Sequence, residues 1–220
     1  RRIIFLGDIH GCYNELVRLL TKMGYEQGRD LLVSVGDLIN KGPDSAKVLD
    51  FVMEHNMLAV RGNHEDGVIR IWDSDFFPSW WRIELVRLAY DLMSQPRYAA
   101  LLRRLPYLIN LARLDLGDIL VVHAGLQAEL SLDQQNPRII TTIDYPPPEL
   151  RTPTLALYNS RGWFNVFRET LEQGGLKSPW LKDKTIIYGH DPQTGVVKER
   201  NMHGLDSGCY LDYFLTGMVV

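Results

Sequence analysis

Five short apolar runs divide the chain: Ile3 to Leu6, Leu31 to Val35, Met57 to Val60, Ile119 to His123, and Thr185 to Tyr188. Each is largely β-branched or aliphatic, with a glycine close behind it, which predicts buried strands. Between the first two, Leu16, Leu19, Leu20 and Met23 recur at i, i+3, i+4 and i+7, a helical face that stops at Gly24. Pro43 opens a second such segment, with Val48, Leu49, Val52 and Met53 on one face. The order β-α-β-α-β implies parallel strands with right-handed crossovers.

The middle of the chain reads as helical. Leu85, Leu88, Ala89 and Leu92 form one stripe; Ser94 and Pro96 start another helix, with Leu101, Leu102 and Leu105, which Pro106 stops. We read residues 73–105 as a helical insertion within one domain spanning 1–220. Residues 137–153 hold five prolines and read as a long loop. A helix is expected from Trp163 to Leu171, ending at Gly174-Gly175, and the tail from Leu205 onward reads as short strands closing a second sheet.

The chemistry lies at the carboxyl end of each run. The first gives Gly7-Asp8-Ile9-His10-Gly11, the second Gly36-Asp37, and the third Arg61-Gly62-Asn63-His64-Glu65. The fourth ends in His123-Ala124-Gly125 and the fifth in Gly189-His190. Ligand crevices of open α/β sheets lie beyond the carboxyl ends of the strands, so these residues should meet at one rim. Asp8 and His10, two apart in an extended segment, should point to the same side. A mixed set of carboxylate, imidazole and amide ligands suits borderline divalent ions such as manganese, iron, cobalt or zinc. A lone Gly-Asp is usually a turn and a lone histidine usually structural. Here four of the six histidines sit at strand ends within two residues of a glycine, which chance does not explain. Of the other two, His55 reads as a surface residue and His203 as a loop residue, with a place lining the site as the alternative.

Composition narrows the partners. Apolar residues make up 45% and charged residues 23% of 220 residues, and no apolar stretch reaches the ~18 residues of a membrane span. The formal charge of −3 argues against a broad nucleic-acid surface, leaving at most a capped RNA end. Cys12 and Cys209 make no disulfide framework and fit a reducing compartment, so a cytoplasmic setting is the expectation; the start on Arg1-Arg2 is compatible with a removed targeting segment.

Taken in order, the five motifs resemble those of the phosphoprotein-phosphatase-type, calcineurin-like metallophosphoesterases, over nearly the whole chain. The resemblance implies an α/β fold in which two sheets form a sandwich flanked by helices. It implies that Asp8 and His10 bind one metal, that Asn63, His123 and His190 bind a second, and that Asp37 bridges them. A hydroxide between the ions would be the nucleophile and His64 the general acid. Arg161, within Asn159-Ser160-Arg161-Gly162, resembles the family's second phosphate-binding arginine, and Arg61 is a further candidate for phosphate contact or a buried ion pair.

One departure bears on the substrate. Protein phosphatases of this family usually carry Asp-Arg where this chain has Asn40-Lys41. An asparagine can accept a hydrogen bond from His64 but brings no charge to hold its proton. A phosphoserine ester expels an alkoxide that needs protonation, whereas an anhydride expels a phosphate whose second pKa is only about 6. Lys41 offers the phosphate a point charge in place of a planar fork. This Asn-Lys-Gly-Pro form, with Leu205-Asp206-Ser207-Gly208-Cys209, resembles the ApaH-like branch related to symmetrical diadenosine tetraphosphatase. The expected activity is therefore two-metal hydrolysis of phosphoanhydrides, first of all diadenosine tetraphosphate to two ADP, with manganese as the expected ion. Inorganic polyphosphate, an mRNA cap, a phosphoprotein, or a non-catalytic binding role are the alternatives. Trp80, Trp81 and Trp163 are candidates to stack on a base, against a plainer role in core packing.

Overall fold

The computed structural model describes residues 2–73, 83–143, 152, 155–156, 158, 162–172 and 183–220. Trp80, Trp81, Arg161 and most of the proline-rich stretch lie outside these residues. Strand β1 (Ile3–Leu6) runs parallel to β2 (Leu31–Ser34), and β2 to β3 (Leu58–Ala59), with helices α1 (Tyr13–Lys22) and α2 (Ser45–Glu54) as the crossovers. Among the described residues a second sheet has the order β4-β5-β6-β8-β7, made of β4 (Leu108–Asn110), β5 (Ile119–Val122), β6 (Thr185–Tyr188), β7 (Val197–Lys198) and β8 (Met202–Gly204).

The burial pattern explains why the strands read as continuous apolar runs rather than alternating ones. Ile3, Phe5 and Val33 on the first sheet and Val121 and Ile187 on the second share one core between the sheets. Their neighbours Ile4, Leu6 and Leu32 face outward onto Leu16, Leu20, Val48 and Leu49 of α1 and α2. Leu120, Val122 and Ile186 face the opposite way, onto Trp163 and Phe167 of a later helix, Trp163–Glu172. The central strands β1, β2, β5 and β6 are thus covered on both faces, the condition under which parallel strands lose their polar side.

Three helices follow β3: α3 (Asn63–Asp73), α4 (Ile83–Met93) and α5 (Pro96–Arg104). They pack on the core formed by α1 and α2, through Leu92, Leu101 and Leu102. No helix among the described residues is long and apolar enough to cross a membrane.

The structure corrects several readings. The tail does not close the second sheet: β9 (Gly217–Val219) pairs antiparallel with β1 and completes the first, in the order β3-β2-β1-β9. The proline-rich stretch begins with a helix rather than a loop, α6 (Pro137–Ile140), because Asn136 caps the N–H of Arg138 and Pro137 occupies the first turn, where a missing N–H costs nothing. His203 lies in β8 opposite Ile187, not in a loop. His55 caps α2 half-buried, stacked on Phe51 at 3.8 Å between ring centroids. The last helix takes the label α7.

Candidate metal centre

Where each strand ends, the chain turns sharply. His10, Asp37, Asn40, Lys41 and His190 have φ of 46°, 47°, 71°, 68° and 79°, the left-handed region that side chains normally avoid. Such residues cost of order 1–3 kcal/mol each and persist only where the surroundings over-determine them. His10 is therefore not extended, contrary to the expectation from sequence. The turn still brings Asp8 and His10 together at the site, 2% and 1% exposed. Two glycines permit close approach. A Cβ on Gly62 would collide with Asp37 Oδ1, and one on Gly189 with Asp8 Oδ1.

Asp37 is the centre of the arrangement. Its Oδ2 lies 3.4 Å from His10 Nε2 and its Oδ1 3.5 Å from His123 Nε2, so its two oxygens face two different groups. His123 Nε2 is 2.9 Å from Asn63 Oδ1, and His190 Nδ1 is 3.1 Å from the same oxygen and 3.2 Å from His123 Nε2. The second-sheet histidine and the first-sheet carboxylate meet because β5 and β2 end at the same rim of the sandwich.

The tautomers show what these groups can hold. His123 Nδ1 lies 2.9 Å from the Val35 carbonyl and His10 Nδ1 3.2 Å from the Ile39 carbonyl. A carbonyl only accepts, so both rings carry their proton at Nδ1 and turn an Nε2 lone pair inward, the usual orientation of a metal-ligating histidine. The lone pair of His123 then faces the Asn63 oxygen and a His190 nitrogen, acceptors crowded together at about 3 Å. That is also the spacing of neighbouring ligands each about 2.1 Å from one ion.

The electrostatics agree with such a fit. Burial pushes the imidazoles of His10 and His190 down to about 3, which keeps them in the neutral, ligating form. Burial also raises Asp8 well above the usual carboxylate range, helped by the nearby Asp206 and Asp37. Burial would raise Asp37 too, but in acid, where imidazoles gain charge, coulombic attraction to His123 first and then to His64, His10 and His190 holds it well below that range. Asp206, pushed up to about 6 chiefly by burial, keeps one oxygen on the Gly208 N–H, while its Oδ2 is buried with no hydrogen-bond partner. Three buried carboxylates, one of them with an orphaned oxygen, set among imidazoles make a donor set that fits a divalent cation. Two groups of close donors share Asp37: one with His10 and His64, the other with His123 and His190.

Glu65, quoted within a motif but given no role by the sequence, is fully buried. Its Oε2 accepts from Asp37 N and Gly62 N, and its Oε1 from Leu38 N and Ile39 N. Burial and the negative Asp37 push its pKa up to about 8, but both oxygens are taken by N–H donors, so the anion is the form that fits. Glu65 thereby fixes the loop that carries Asp37.

His64, at the start of α3, places Nε2 3.8 Å from Asp37 Oδ2 and Nδ1 2.8 Å from the Asn40 amide nitrogen. The amide thus donates to Nδ1, the reverse of the accepting role expected from sequence, and leaves the ring proton on Nε2. Lys41 Nζ reaches His10 Nε2 at 3.2 Å and lies 3.8 Å above the ring of Tyr210. Tyr210 also meets His10 edge-on, at 4.8 Å between centroids. Nothing in the sequence marked Tyr210; only the closing loop brings it to residue 10.

Arg61 does not join the site. Its guanidinium bonds Tyr107 Oη and the carbonyls of Leu102 and Arg103, pairs with Asp66 at 3.6 Å, and stacks on Tyr107. Those bonds tie α3 to the end of α5, so the structure favours the ion pair over phosphate contact. Trp163 is core: its indole N–H donates to the Leu126 carbonyl and its ring packs on Tyr188.

Residues 1–215 match the family model for calcineurin-like phosphoesterases. A zinc-dependent endopolyphosphatase of Saccharomyces cerevisiae is 27% identical, across 100% of this chain and 76% of its own length. An asymmetrical bis(5'-nucleosyl)-tetraphosphatase, PrpE, of Oceanobacillus iheyensis is 25% identical, across 98% and 87%. A crystal structure provisionally assigned as a diadenosine tetraphosphatase superposes with a TM-score of 0.72 at 29% identity, over 99% of this chain and 88% of that one. The ordered motifs, the two-sheet sandwich and the carboxylate–imidazole centre all agree with that match, and the chain belongs to the calcineurin-like phosphoesterase family of metal-dependent hydrolases.

Proposed function

We propose that this chain hydrolyses a phosphoanhydride bond of dinucleoside polyphosphates, with diadenosine tetraphosphate as the leading substrate and two ADP as the expected products. The observation that carries the reading is the neutral Asn40 amide against His64 Nδ1. Asp8, His10 and Asp37 would hold one divalent ion and Asp37, Asn63, His123 and His190 a second, with manganese as the expected metal. When bound, the ions would polarise the phosphoryl oxygens and acidify a water. His64 is kept apart from the ligands because its Nε2 carries the proton. From there it can donate to the departing oxygen. Asn40 brings no charge to hold a second proton on Nδ1, so the imidazolium gains less here than it would beside a carboxylate and the acid is weak. An ADP leaving group tolerates a weak acid, and a serine alkoxide does not. Lys41, at the rim, supplies a charge to the phosphate chain; Arg161, outside the described residues, is retained as a second phosphate contact.

Asn40→Asp tests this. A carboxylate at position 40 should raise the imidazole pKa by about one unit or more, about 1.4 kcal/mol. The expected result is a gain of roughly tenfold on a phosphoserine peptide, with diadenosine tetraphosphate turnover changed less than about threefold. Initial rates with added manganese measure both. A wild-type chain that already prefers the phosphoserine peptide overturns the assignment.

A further inference from the structure

Beside the metal centre, a cleft of about 730 Å³ opens between the Asn40–Ala46 turn, Tyr210 and one face of α4. Its size suits a small organic ligand. Asn40 and Lys41, which contact His64 and His10, both line it, so it adjoins the reacting groups. Glu84, Leu88 and Asp91 line it from successive turns of α4, at i, i+4 and i+7. Gln95, beyond the end of α4, stands at the same wall.

The chemistry of that wall selects among the candidate substrates. A polyphosphate chain would want a continuous track of cations, but Glu84 and Asp91 offset Lys41 and Arg87. Beyond Lys41 a phosphate chain would therefore meet carboxylates. An adenine differs: its amino group is a donor and its N7 an acceptor, the pair that a glutamine side chain matches in two bonds. Leu88, Pro43 and Ala46 offer apolar surface to its ring. We propose that this cleft is a nucleoside subsite, with the phosphates entering at Lys41, the base against Leu88, and Gln95 and Asp91 reading its amino edge. This rests on the dinucleotide reading, and it adds where one nucleoside sits and why a bare polyphosphate gains nothing there.

Ala46 is exposed, lies in the first turn of α2 and carries no polar side-chain group, so Ala46→Trp fills the cleft without replacing a group of the metal centre. The expected result is a KM for diadenosine tetraphosphate raised at least tenfold, with KM and kcat for inorganic tripolyphosphate unchanged. Equilibrium dialysis should show ADP binding weakened in the variant and pyrophosphate binding retained. A second variant, Gln95→Leu, removes the side chain matched to the base without changing the charge of the cleft, and should weaken ADP binding as well. The inference is overturned if Ala46→Trp leaves ADP binding unchanged, or if pyrophosphate binding falls equally. A wild type that binds ADP in this cleft yet cleaves only tripolyphosphate would overturn the proposed function and keep the subsite.

Discussion

Replacing Asp37 with asparagine is expected to lower turnover by roughly a thousandfold or more while the fold survives. The two oxygens of Asp37 face His10 on one side and His123 on the other, and it is the carboxylate that both groups of close donors share. An asparagine keeps the shape and can still accept the His64 N–H through its oxygen, so the loop and the start of α3 should hold. What it loses is the negative charge and the second donor oxygen. Metal analysis should show the bound divalent ions falling below the wild-type number. Circular dichroism and melting should remain near wild type. Activity within tenfold of wild type would mean that Asp37 does not join the two halves of the site.

The second large effect concerns Glu65, which touches no substrate. Glu65→Ala would strand the four backbone N–H groups of Asp37, Leu38, Ile39 and Gly62, all buried beneath the site. Each unsatisfied buried donor costs roughly 1–3 kcal/mol, so a loss of about 4 kcal/mol or more is expected even if water enters the space. That is a large share of the ~5–15 kcal/mol that holds a typical domain together. Denaturant unfolding measures it, and metal affinity should fall alongside, because the same bonds aim Asp37. Glu65→Gln should be milder, since one oxygen still accepts. A Glu65→Ala variant within about 1 kcal/mol of wild type would show that the loop is held by other means.

Much of this architecture was legible in the chain before folding. The five apolar runs and the helical faces of α1, α2, α4 and α5 could be read because each buries a face large enough to impose its own periodicity. The candidate metal ligands could be singled out because each follows a strand, where the topology brings them together. Other features had no such signature. β9 is three residues long, and only its pairing with β1 makes it a strand. The conformation of His10 depends on Gly42 and the Asp37 loop packed against it, so an extended reading had no local evidence against it. Arg61 stands two residues before Asn63 along the chain, yet Tyr107, Asp66 and the α5 carbonyls draw it away. Tyr210 and the α4 cleft likewise exist only once residues far apart meet.

Hydrolysis of a phosphoanhydride at this centre is checked most directly by the product composition after incubating the purified chain with manganese and diadenosine tetraphosphate. ADP is the expected product, formed as two molecules per substrate consumed. ATP with AMP would keep the anhydride chemistry but move the scissile bond off centre. No nucleotide product, alongside phosphate released from a phosphoserine peptide, would contradict the assignment.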